Sequence, residues 1–248
     1  MTERGVPPMS MRLDRLLSEL GVATRSELRQ IIRSGRVSVD GVTVTAPEKR
    51  VDPEAQQICL DGQAICYRQY RYFMMDKPAG VLSVTEDRKQ ETVLDLLPPE
   101  LRRLDLFPVG RLDKDTSGLL LLTNDGEFAH RVISPRSGVE KRYRAEVEGV
   151  PDEEDVRAFQ EGIVLADGTR CLPAKLEITG GSVCYVTVME GKYHQVKRML
   201  AARGKPVTAL RRLSVGTLTM PESLAPGEFC ELGDGDLCKV LRAYPIGK

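Results

Sequence analysis

Apolar and polar positions change period several times along this chain, and each change marks an element. Leu13, Leu16, Leu17 and Leu20 recur at helical spacing and Gly21 ends the run, which predicts a first short helix. Thr24-Arg25-Ser26-Glu27 has the form of a capping box, opening a second helix that buries Leu28, Ile31 and Ile32 and stops at Gly35. Val37 to Val44 then alternates around Asp40-Gly41, the pattern of a β-hairpin. Gln56 to Tyr70 has no comparable period and reads as the tail of this small module plus a linker.

From Arg71 the pattern belongs to a larger domain. Tyr72 to Lys77 is a strand running into the turn Pro78-Ala79-Gly80. Leu119 to Leu122 is a solid apolar strand, closed by Thr123-Asn124-Asp125-Gly126 and followed by a short helix over 127–133. Lys141 to Val150 alternates, with Tyr143, Ala145 and Val147 on one face and Arg142, Arg144, Glu146 and Glu148 on the other. A helix with an acidic first turn follows over 152–161. Val183 to Met189 is apolar at nearly every position and predicts a central strand. Glu190 to Tyr193 turns into a helix over about 194–203, and further strands follow through Leu218. Strands outnumber helices and several adjoin without a crossover, so the expected class is α+β on a mostly antiparallel mixed sheet. The expected organisation is a flexible leader over 1–10, a module and linker over 11–70, and a larger domain over 71–248.

The most specific string is Gly110-Arg111-Leu112-Asp113-Lys114-Asp115-Thr116-Ser117-Gly118, just ahead of the leucine strand. A charged loop at the mouth of a buried strand offers a carboxylate to a substrate, and spacing alone leaves Asp113 and Asp115 equal candidates. The string resembles the signature of pseudouridine synthases, in the branch that modifies bacterial ribosomal RNA (the RsuA family). The resemblance implies that Asp113 is the essential carboxylate and that Arg111 lies beside the RNA stack, holding the target uridine flipped out. Glu140-Lys141-Arg142-Tyr143 resembles a second family motif, implying that Tyr143 stacks on the uracil and serves in proton transfer at C5. Glu190 to Met199 resembles a third, which makes Lys197 the cation paired with the catalytic aspartate. Residues 11–60 are similar to the S4 (αL-like) RNA-binding module. That likeness implies that its second helix and the turn after it contact RNA backbone. Arg25, Arg29 and Arg33, one helical turn apart, with Arg36 just beyond, are then RNA-binding candidates, although such a row by itself is most often a solvated face.

Composition narrows the partners. Lys and Arg number 36, as do Asp and Glu, so an RNA enzyme of this charge must gather its positive residues on one surface. No apolar run reaches the length of a membrane span, and a cytoplasmic monomer is expected. Six cysteines and two histidines show no metal-ligand spacing, and no nucleotide-binding loop is present, so no metal and no cofactor is expected. Around Tyr72-Phe73-Met74, Thr92 to Leu97 and Phe107-Pro108-Val109, the wording is most similar to the branch acting on uridine 516 of 16S rRNA. A sibling acting on 23S rRNA is the alternative within the family, and a non-catalytic S4-type ribosome-associated factor is the alternative outside it.

Overall fold

The computed structural model describes residues 10–53, 55–65 and 67–242; apart from Ser10, the expected leader lies outside them. The chain forms two compact units. One runs up to Tyr70 and includes Pro98–Asp105; the other comprises Arg71–Leu97 and the chain from Leu106 onward.

In the first unit, helix α1 (Leu13–Glu19) and helix α2 (Arg25–Arg33) bury Leu13, Leu16, Leu17, Leu28 and Ile32 completely. Thr24 and Glu27 form the reciprocal capping box that starts α2. The two helices share a core with a four-stranded antiparallel sheet ordered Val42–Val44, Val37–Val39, Ile58–Leu60, Gln63–Ile65. The last two strands form part of the tail expected over 56–70, as a hairpin that the sequence pattern did not predict. Asp61-Gly62 repeats the device of Asp40-Gly41: both pairs have positive φ (52° and 80°; 51° and 79°), the backbone of a two-residue hairpin turn. The strands on either side are too short and too polar to show their alternation in the sequence.

In the second unit, nine described strands form one sheet. Its main path runs Lys175–Ile178, Val183–Val188, Lys141–Val147, Val207–Val215, Ser117–Thr123, Tyr72–Lys77, Phe229–Glu231. Every pairing is antiparallel except one. The strand Val207–Val215 runs parallel to Ser117–Thr123, with Arg211 opposite Ser117 and Arg212 opposite Gly118. This seam divides the core. On one side, helices α4 (Gly126–Ile133) and α7 (Asp234–Val240) pack with Leu119, Leu121 and Phe128; on the other, α5 (Glu153–Glu161) and α6 (Gln195–Ala202) pack with Ala145, Val186, Met199 and Leu200. The short helix Pro99–Arg102, α3, belongs to the first unit. The strand Val183–Val188 has neighbours on both edges but only one covered face. Cys184, Val186 and Val188 are buried while Val183, Tyr185 and Thr187 are half-exposed, and the Arg142 guanidinium lies over the Tyr185 ring at 4.6 Å. Its apolar composition thus overstates its burial.

Candidate active site

The loop ahead of Ser117–Thr123 is fixed by its backbone. Lys77, at the end of the strand Tyr72–Lys77, is fully buried, and its ammonium donates to the carbonyls of Pro78 (2.9 Å), Asp113 (3.2 Å), Lys114 (3.3 Å) and Thr116 (2.9 Å). Burial lowers the Lys77 pKa to about 8, against an upward pull from the charges of Asp115 and Asp113. On the other side, the Ser83 hydroxyl donates to the Leu112 carbonyl and accepts from the Leu112 N–H. Gly118 completes the arrangement. Its φ is +106°, and a Cβ there would lie 2.2 Å from the Arg212 carbonyl oxygen, so only glycine lets the two strands of the parallel seam approach.

Across the seam, α6 begins in an unusual way. Its N-cap, His194, has left-handed backbone angles (φ 48°, ψ 35°), a conformation that costs a non-glycine residue about 1–3 kcal/mol. The preceding turn is held by buried Glu190, which accepts from the Leu172 N–H (2.9 Å), the Gln195 side-chain amide (2.7 Å) and the Lys192 ammonium. The strained turn brings His194 and Lys197 onto the aspartate loop. His194 Nε2 lies 3.3 Å from Asp113 Oδ1, and Lys197 Nζ lies 3.2 Å from Asp113 Oδ2 and 2.5 Å from Asp115 Oδ1. Burial works against the Lys197 ammonium, but its bonds to Asp115 and Asp113 outweigh that and raise its pKa. The bond from Lys197 lowers the pKa of Asp115.

The two aspartates differ in their surroundings. The Asp113 side chain is 24% exposed and the Asp115 side chain 77%. Asp113, with Arg111, Tyr143, Lys192, His194 and Gln195, lines a small cavity of about 70 Å³. Tyr143 reaches it from the strand Lys141–Val147 while packing against the core beside α5 and α6. Three of the residues picked from sequence therefore line this cavity, Arg111, Asp113 and Tyr143, and a fourth, Lys197, adjoins it through its contact with Asp113. Arg111 is exposed and makes no ion pair among the described residues. The arginines of the first unit lie outside this cavity. Arg25, Arg29 and Arg33 are exposed on α2, whereas Arg36 is engaged by Asp61 through Nε at 2.8 Å. Two participants were missed in the sequence, Lys77 and His194. A charged pair, Asp76-Lys77, closing an apolar strand was the available signal for the first; backbone handedness, the key to the second, leaves no such trace.

Residues 71–202 match the family described as RNA pseudouridylate synthase, and residues 11–62 match the S4 domain. The chain belongs to the pseudouridine synthase family. It is 45% identical to an uncharacterised RNA pseudouridine synthase of Bacillus subtilis, over 92% of this chain and 97% of that protein. It is 39% identical to the ribosomal small subunit pseudouridine synthase A of Vibrio cholerae, over 94% of this chain and all of that protein. A crystal structure described as pseudouridylate synthase superposes with a TM-score of 0.66 at 34% identity, covering 93% of this chain and 100% of that one. This pseudouridine synthase is accordingly an isomerase acting on RNA, built from an S4 domain and a catalytic domain on a mixed, mostly antiparallel sheet.

Proposed function

We propose that this pseudouridine synthase isomerises one uridine of ribosomal RNA, uridine 516 of the 16S rRNA, with Asp113 as its essential carboxylate. The observation that carries the reading is the placement of Asp113: half-buried in a cavity with Tyr143, and flanked on its two oxygens by His194 and Lys197. The reaction breaks the N1–C1′ bond, turns the uracil over, joins C5 to C1′ and moves the C5 proton, with no change of oxidation state. Asp113 activates the glycosidic bond, as a nucleophile or as a base at the ribose, with the Lys197 ammonium 3.2 Å from its Oδ2 as its cationic partner. Tyr143 stacks on the freed base and its hydroxyl serves in removing the C5 proton. Arg111 compensates for extrusion of the nucleotide, which costs a few kcal/mol of stacking.

Relatives named for the small ribosomal subunit support 16S rRNA over 23S rRNA as the target. In this reading the enzyme is a cytoplasmic monomer whose substrate is the rRNA of an assembling small subunit. Mapping pseudouridines in both rRNAs of a strain lacking the protein tests the target. One site in 16S rRNA should vanish, return with the wild-type protein, and stay absent with Asp113→Asn, which keeps size and loses charge. Loss of a 23S site instead would transfer the assignment to the large subunit. Full restoration by Asp113→Asn would remove Asp113 from the mechanism.

A further inference from the structure

Tyr193 has no role in the reaction as described, yet it is 75% exposed and ordered by a ring contact. It lies in the turn ahead of α6, and its ring stacks on the His194 imidazole at a centroid distance of 3.8 Å and an interplanar angle of 20°. One face of the tyrosine is thereby occupied and the rest of the residue is presented to solvent. The backing imidazole has its Nε2 3.3 Å from the Asp113 carboxylate, so the stacked pair connects the reacting centre to a solvent-facing phenol ring. The left-handed backbone of His194 sets this direction.

A flipped uridine leaves its neighbours in the strand without a stacking partner, just at the mouth of the cavity that receives it. A rigid, solvent-facing aromatic ring is the group that binds an unstacked base, and it does so with little dependence on base identity. We propose that Tyr193, backed by His194, is a stacking platform for the base of a nucleotide flanking the target uridine. The proposal rests on the reading of the Asp113 cavity as the pocket for a flipped uridine. It gives the enzyme a hold on the single strand beside the target that is separate from the groups acting on the target itself.

The test uses the full-length enzyme and an rRNA fragment carrying its mapped target. Tyr193→Ala should raise KM by roughly 5- to 150-fold with kcat little changed, and Tyr193→Phe should behave as wild type. An abasic nucleotide at the correct flanking position should weaken the wild type to the level of Tyr193→Ala and leave the variant unaffected. With 2-aminopurine at that position, quenching on binding should occur with Asp113→Asn protein and be lost when Tyr193→Ala is added. Equal KM for wild type and Tyr193→Ala overturns the platform alone. So does a defect of Tyr193→Ala confined to kcat, which would make Tyr193 a support for His194, or one that persists at every abasic position. Absence of wild-type turnover on both full-length rRNAs would overturn the rRNA reading and the platform with it.

Discussion

Asp113 and Asp115 stand two residues apart and share the ammonium of Lys197, but only Asp113 lines the cavity with Tyr143. Exposure separates their expected roles. Asp115→Asn removes a solvated partner of Lys197, and an exposed ion pair contributes about 1 kcal/mol or less, so turnover should fall only a few-fold. Tyr143→Phe keeps the ring and loses the hydroxyl. RNA affinity should survive while turnover drops roughly 10²- to 10⁴-fold, the usual contribution of a positioned acid or base, with the defect after glycosidic cleavage. Lys197→Met leaves two carboxylates facing each other without their cation and should also cripple turnover. Single-turnover kinetics on the mapped rRNA fragment checks all three variants. Wild-type rates for both Tyr143→Phe and Lys197→Met would reduce those residues to core and surface.

Among the elements, the parallel seam is the most constrained. Gly118→Ala places a methyl against the Arg212 backbone at a φ that L-residues rarely adopt, and should destabilise the catalytic domain by about 3 kcal/mol or more. Chemical denaturation measures this, and an unchanged midpoint would mean that the seam opens freely. On α2, changing Arg25, Arg29 and Arg33 together to Gln should weaken rRNA binding and reduce the log–log salt slope by roughly 0.7 to 0.9 per lost phosphate contact, while saturating turnover persists. An unchanged slope would leave the row a solvated face. Helices α1 and α2, the first hairpin of their unit and the leucine strand were legible in the sequence because period, cap and turn residues agreed locally. The hairpin at Asp61-Gly62 was not, since strands of three residues carry too little alternation. Nor was the inclusion of Pro98–Asp105 in the first unit, which depends on contacts distant in sequence. In the site, Asp113, Tyr143 and Lys197 were recognisable as motif residues, but Lys77 and His194 act through side-chain direction and backbone handedness, which period does not encode.

For the molecule as a whole, buried lysines give the fold a distinctive response to pH. Lys141 is buried with its ammonium on the Val132 carbonyl at 3.0 Å, and burial, aided by the charge of Arg212, lowers its pKa from 10.5 to about 8. Between those values the unfolded chain holds a proton that the folded chain has released, so unfolding free energy rises with pH across that window. The burial penalty is complete below about pH 8 and fades toward 10.5. Relative to a Lys141→Met variant, which lacks this titration, the wild type should gain up to about 3 kcal/mol between pH 7.5 and 10.5, measured by urea unfolding at each pH. A constant difference would mean that Lys141 titrates normally. The other buried lysine, Lys77, has a different kind of consequence. It grips main-chain oxygens, which every amino acid carries, and makes no hydrogen-bonding demand on the side chain of Lys114. Address and letterhead are thus separate in this loop: outward-facing positions are free to drift toward a new RNA sequence over evolutionary time, while the carboxylate between them stays where it was.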